Sequence, residues 1–360
     1  MSPCTDNVFL VSRRWSHHAE HSGYDLLARY AGQPLTAAAA HANLIPERVL
    51  WRLNRNMLGY DRPALVLELS AARHMATHRN CIYHFLCADN CYNYAGLLNG
   101  WRGHKIVATY HHPPSKLGVW VQSPQALARL SAVILVGSNQ YSFFRRILPP
   151  ERIACIPHPI DTSFFVPPNY FDAREDSLCL FVGSHLRDFG TLRSVIEDAR
   201  LVAPQLKFVI VTHADDAAQF DHVAGHFTLR IGVRDRELLQ LYQRATVLIQ
   251  PLLDATANNA VLEALSCGLP MVVTDIGAIR DYVDERCARL VAPFRPDAML
   301  EHILDLVKNR AARESMSVAC RKQALTFDWH PISQRIRDLY AGLAEPRDGS
   351  ARFSWAAGLT

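Results

Sequence analysis

ATANNAVLEALSCGLPMVVTDIGAIRDYV, residues 255–283, sets out a helix, a turn and a strand in one unbroken run. Ala260 to Cys267 is apolar at helical spacing and closes on Gly268, the residue type that most readily ends a helix. PMVVTD (270–275) follows as a β-branched strand. The Asn258-Asn259 pair is placed to cap the helix, and the free N–H groups of a helix start form a ready site for a phosphate. Glu263 interrupts the apolar pattern one turn in. It is either a solvated residue on an amphipathic face or a carboxylate that reaches a sugar hydroxyl held beside that phosphate, and the segment alone does not choose.

Outward from this segment, short β-branched runs keep alternating with helical stretches, the pattern of parallel βαβ units. Strands are expected at 7–12, 81–86, 105–110, 132–137 and 152–157 in the first half. In the second half they are expected at 178–183, 207–212, 227–232, 245–250, 270–275 and 288–293. Two such sets in 360 residues predict an α/β protein of two Rossmann-like, doubly wound domains. HPIDTSFFVPPNYFDAREDS (158–177) has three prolines and no sustained periodicity, and reads as the linker. The expected division is 1–165 for the first domain and 166–328 for the second, then a helix over 329–345 that crosses back, and a tail over 346–360. Ligands in such sheets sit beyond the carboxyl ends of the strands, so the cleft between two such domains is the expected site.

Composition narrows the class. A formal charge of +4 without a lysine-rich block argues against nucleic acid as the partner. Nine cysteines scattered through mostly apolar segments, and a start with no basic and then apolar leader, point to a reducing cytosol. No apolar run is long enough to span a membrane. WRLNRNMLGY (51–60), with Trp51, Arg52, Arg55 and Leu58, reads either as a half-buried surface helix or as a peripheral contact with the inner membrane face. Cys81, Cys87 and Cys91 match no zinc spacing, and His17 and His21 lack a third ligand, so no metal is expected.

VLEALSCGLPMVVTDIGAIRDYV (261–283) resembles the signature of the retaining glycosyltransferases of family 4, of the GT-B fold: a helix with Glu, a small-Cys-Gly-x-Pro turn, and a strand ending Thr-Asp-x-Gly. RIACIPHPIDTSFFVP (152–167) is similar to that family's interdomain segment, and LCLFVGS (178–184) to the first strand and glycine loop of its donor domain. IGVRDRELLQLYQRATVLIQP (231–251) is similar to the strand, helix and strand before the signature, and FDWHPISQRIRDLY (327–340) to the closing helix. The pieces occur in the family's order over most of the chain. The resemblance implies transfer of a sugar from a nucleotide diphosphate sugar with retained anomeric configuration, without metal or resident cofactor. It implies that Glu263 grips the donor ribose and that the backbone of Val261 and Leu262 touches the diphosphate. It places Gly183 and Ser184 in the glycine loop under the phosphates, and Gly232 and Val233 beside the base.

Three positions depart from the family pattern. The first carboxylate of its paired-Glu motif falls on Ala255, and its two phosphate-binding cations fall on Ser184 and Phe189. Arg187 is the nearest replacement for the cations, its other role being a surface ion pair with Asp188. Thr256, Asn258 and Asn259 stand where they can read the donor sugar's hydroxyls, with helix capping as the plainer role of the asparagines. In the first domain Ser22-Gly23 resembles the family's small-residue loop near the reaction centre. His111, closing KIVATYH, matches the family's histidine at that strand end, and His112 is able to exchange roles with it. A near-neutral pKa suits histidine to proton movement, and bonding to a loop carbonyl is the plain alternative. Ser138 and Asp89-Asn90 sit at other strand ends, while His158 and Asp161 read as residues that order the hinge. The expected catalytic set is thus His111, Arg187 and Glu263, with Ser22, Gly23, His111, His112 and Ser138 toward the acceptor. The donor is a UDP-, GDP- or other nucleotide sugar, and the acceptor a carbohydrate, lipid-linked or small molecule. A binding scaffold that no longer turns over, or an epimerase or hydrolase on the same architecture, stands as the alternative.

Overall fold

The computed structural model describes residues 7–13, 20–36, 48, 60–120, 124–170, 173–223 and 227–345. His17, residues 51–59 and the tail 346–360 lie outside the described residues. The chain forms two compact units, the first from residues within 7–13, 23–158 and 329–345, the second from 20–22 and 159–328.

Each unit is built on a six-stranded sheet in which every strand pairing is parallel. The first sheet has β1 (Val8–Val11), β2 (Gln33–Leu35), β3 (Ile82–Phe85), β4 (Lys105–Tyr110), β5 (Ala132–Leu135) and β6 (Ile153–Cys155), in the order β2-β1-β3-β4-β5-β6. The second has β7 (Leu178–Val182), β8 (Lys207–Thr212), β9 (Phe227–Ile231), β10 (Val247–Gln250), β11 (Met271–Thr274) and β12 (Ala288–Val291), in the order β12-β11-β10-β7-β8-β9. Each of the eleven expected runs holds a strand. Parallel strands are covered on both faces by crossover helices, so they read as continuous apolar runs. Alternate residues of β7 show why: Leu180 and Val182 join one core cluster, Cys179 and Phe181 the other. Strand β2 carries no such signal, because it is a short edge strand with Gln33 and Pro34 exposed, and an edge tolerates proline.

Within the stretch 158–177, residues 160–165 are more ordered than the neighbouring prolines suggest. The division of the chain falls after His158, not after residue 165. Ile160 and Phe165 are buried in the second unit's core, and Arg321 donates to the carbonyls of Thr162 and Phe165, both at 3.0 Å. Asp161 accepts the amides of Ser163 and Phe164. Side-chain capping holds this backbone where a regular element would otherwise do so. The helix Trp329–Ala344 packs in the first unit: Trp329, Ile332, Ile336 and Tyr340 are buried, and the Tyr340 hydroxyl lies 2.6 Å from His84 Nδ1. The eight described cysteines are free thiols, six of them buried. Among the described residues no helix is long and apolar enough to cross a membrane.

Candidate functional site

In the second sheet the strand order reverses between β7 and β10, the position at which open α/β sheets bind ligands. Gly183 and Ser184 follow β7. Gly183 has φ +108°, and a Cβ there would collide with the Arg187 guanidinium, so the turn requires glycine. Arg187 folds back over this loop. Its Nε donates to the Val182 carbonyl at 3.1 Å, Nη1 to the His185 carbonyl at 2.9 Å, and Nη2 to Asn258 Oδ1 at 3.3 Å. Burial lowers the guanidinium pKa to about 10, which leaves it charged at neutral pH. The surface ion pair with Asp188 does not form, because that carboxylate caps the helix Phe189–Val202 through Thr191. Phe189 is part of the apolar core beside Phe181 and Phe220, so an uncharged, buried side chain stands at that position.

The loop after β10 leads into the helix Asn259–Ser266, with Asn258 as its N-cap. Asn258 Oδ1 accepts the Val261 amide at 3.3 Å, and the Asn258 carbonyl accepts the Leu262 amide at 3.1 Å. The amides expected at the diphosphate are therefore engaged within the helix. Asn259 and Ala260 carry the first-turn amides that find no partner among the described residues, and the Asn259 side chain is exposed. Thr256 is only 2% exposed, and its hydroxyl finds no partner among the described residues. Gln250, which sequence reasoning passed over, is buried at the end of β10 and donates through Nε2 to the Val182 carbonyl at 2.9 Å, sharing it with Arg187. Ala255 is packed against the turn Asp275-Ile276-Gly277: its carbonyl accepts the Ala278 amide at 3.0 Å, and a Cβ on Gly277 would run into that carbonyl.

Glu263 is 4% exposed, which rules out the solvated-face reading. The Tyr242 hydroxyl, on the helix Asp235–Arg244, donates to its Oε2 at 2.7 Å. Burial pushes the carboxyl pKa up to about 8; Tyr242 and Arg187 oppose that rise and Asp235 adds to it. Tyr242 was also missed, and its signal was a hydroxyl on the apolar face of LLQLYQRA that needs a buried partner. Gly232, at φ +67°, is open, with no atom within 4 Å of where a Cβ would lie, and Val233 beside it is half-buried against the core.

In the first unit His111 bonds to a loop carbonyl. Its Nε2 lies 2.8 Å from the Leu86 carbonyl, which only accepts, so this nitrogen carries the proton. Asp89 accepts the amides of His111 and His112 at 2.8 and 3.2 Å, and Gln140 donates to the His112 carbonyl at 2.8 Å. Ser138 is half-buried in the turn after β5, where Gln140 accepts the Gly137 amide. Gly23, at φ +117°, belongs to the first unit and Ser22 to the second. His21 is held within the second unit: Nδ1 lies 2.8 Å from Asp161 Oδ2, the ring stacks on Phe164 at 3.6 Å, and the amide donates to Asp235 at 2.8 Å. No group of three or more His, Cys, Asp or Glu side chains is arranged to hold a metal among the described residues.

Residues 176–309, the stretch that carries Gly183, Arg187, Asn258 and Glu263, match the family described as "Glycosyl transferases group 1". That segment is a group 1 glycosyl transferase domain. Over 276 residues, 68% of the chain and 70% of the relative, the protein is 24% identical to alpha-maltose-1-phosphate synthase of Mycolicibacterium smegmatis. A 106-residue stretch, 28% of the chain and 21% of the relative, is 30% identical to a sulfoquinovosyl transferase of Arabidopsis thaliana. A match at 22% identity to a phosphatidylinositol N-acetylglucosaminyltransferase subunit of Schizosaccharomyces pombe covers 56% of the chain and 46% of the relative. The chain thus spans from about a fifth to about half the length of these last two relatives. Among solved structures, a glycosyltransferase from Rickettsia africae superposes with a TM-score of 0.68 at 13% identity over 95% of the chain and 99% of its own. Anabaena HepE in complex with UDP superposes with a TM-score of 0.67 at 14% identity over 94% of the chain and 100% of its own. These likenesses place the two Rossmann-like units, and with them the group 1 domain, in the GT-B fold class.

Proposed function

We propose that the protein is a retaining, metal-independent glycosyltransferase that moves a sugar from a nucleotide diphosphate sugar to an acceptor hydroxyl. The observation that carries this is the grouping of Arg187, the Asn258-capped helix start and Glu263 at the switch point of the group 1 domain. A guanidinium and the open amides of Asn259 and Ala260 suit a diphosphate, and a buried carboxyl group one turn further on, able to accept or donate, suits the ribose hydroxyls. The leaving diphosphate gathers negative charge in the transition state, where Arg187 and the helix start stabilise it. Retention then asks of the protein mainly that the acceptor be held on the same face as the leaving group. The buried Thr256 hydroxyl supplies a contact for the donor sugar where the family's first carboxylate is absent. His111 and His112, set by Asp89, serve the acceptor, which is a carbohydrate, a lipid-linked molecule or a small molecule. A lipid-linked acceptor would bring the protein to the cytoplasmic face of a membrane. HepE was solved with UDP, and two of the relatives are named as a sulfoquinovosyl transferase and an N-acetylglucosaminyltransferase subunit, which supports a nucleotide sugar as the donor.

The test incubates the protein with UDP-, GDP- and ADP-sugars and an acceptor panel, with and without EDTA, and follows nucleotide release and product anomer by NMR. Acceptor-dependent, EDTA-insensitive release with the donor's anomeric configuration in the product is expected. An inverted product or loss of activity in EDTA contradicts the mechanism. Release without acceptor would mark a hydrolase, and no release with any donor would mark a binding protein.

A further inference from the structure

Tyr242 and Glu263 are mutually dependent. The tyrosine ring is fully buried in the second unit's core, edge-on to Phe165, so its hydroxyl has one place to donate. That place is Oε2 of Glu263, at 2.7 Å. Oε1 takes no hydrogen bond from any described residue. The groups facing this pair are Arg187 from the glycine loop, Asp235 from the start of the tyrosine's own helix, and the buried thiol of Cys267. A carboxylate on a flexible side chain, pinned at one oxygen, presents the other in a single direction, which lowers the ordering cost of binding a hydroxyl.

We propose that Tyr242 is a positioning residue for the donor ribose: its hydroxyl pins Oε2 of Glu263 and so aims Oε1 at the ribose hydroxyls. The proposal rests on the reading of the group 1 domain as a nucleotide-sugar site, and it adds a residue on a different helix whose role is to select ribose.

The test is titration calorimetry on the full chain, wild type and Tyr242→Phe, with UDP, GDP and ADP and the 2′,3′-dideoxy form of whichever binds. The wild type is expected to prefer the ribonucleotide by roughly tenfold, the value of hydrogen bonds from the two ribose hydroxyls to a buried carboxyl group. Tyr242→Phe is expected to lose most of that preference while its affinity for the dideoxy form stays as in wild type. An undiminished preference in the variant overturns the role of Tyr242 and leaves the donor site standing. An equal loss of affinity for both ligands makes the tyrosine merely structural, and also overturns it. Failure of the wild type to bind any of the three nucleotides overturns the donor reading itself. Should the phenylalanine variant not fold, 3-fluorotyrosine placed at position 242, a stronger donor of nearly the same shape, is expected to raise the preference, and an unchanged preference overturns the proposal.

Discussion

Glu263 lies on a helix whose residues from Ala260 to Ser266 are all buried, so its carboxyl ionises against desolvation and is pushed from 4.5 up to about 8. Between those two values the folded chain holds a proton that the unfolded chain has released. The stabilising contribution of this residue is therefore complete below pH 4.5 and is lost as pH rises through about 8. Glu263→Gln cannot titrate, so urea unfolding at pH 5 and pH 9 is expected to show a smaller fall in stability for the variant than for wild type; equal falls would contradict the buried carboxyl. Arg187 makes a separate prediction. Arg187→Ala is expected to weaken a nucleoside diphosphate by about tenfold or more and leave the free nucleoside unchanged, because the proposed site sets its charge against the phosphates. Equal weakening of both ligands would mean that Arg187 only shapes the Gly183 loop.

Two helices carry Tyr242 and Glu263, the residues proposed to serve the donor, and one guanidinium holds both of their carboxyl ends. Arg174 donates to the carbonyls of Tyr242 and Ala245 at 3.0 Å, and to those of Cys267 and Gly268 at 2.9 and 2.8 Å. A cation at helix ends complements the helix dipoles and satisfies carbonyls that have no partner in the helix. Arg174→Ala leaves these carbonyls unpaired and is expected to cost about 3 kcal/mol or more in urea unfolding, whereas an effect below about 1 kcal/mol would show that water replaces the side chain. None of this was legible in the sequence. The parallel strands were, because burial on both faces writes itself as β-branched runs, and the helix-turn-strand at 260–275 was, because Gly268 and Pro270 punctuate it. Arg174, Tyr242, Gln250, Asp89 and Gln140 act through partners from 21 to 94 residues away, at no fixed spacing. In the segment Ile160–Phe165 the ordering role of Asp161 was legible, but not the burial of Ile160 and Phe165 in the second unit's core. Val261 and Leu262 were legible as a helix start, but which amides stay open depends on how Asn258 caps it.

The whole molecule is two units whose chain order is interleaved, since the helix Trp329–Ala344 comes last in the described chain and belongs to the first unit. There Tyr340 closes over His84, which bonds to both Tyr340 and Thr109, and whose pKa burial lowers to about 3. Truncation after Asp328 removes this cover and is expected to lower or abolish one calorimetric unfolding transition while the other keeps its midpoint. A common fall of both transitions would mean that the units unfold as one. The central claim, a nucleotide site in the group 1 domain built on Glu263, is tested most directly by titration calorimetry of UDP, GDP and ADP against wild type and Glu263→Ala. One nucleotide is expected to bind the wild type and to lose roughly tenfold or more in affinity in the folded variant. No binding by any of the three, or equal binding by both proteins, would contradict it.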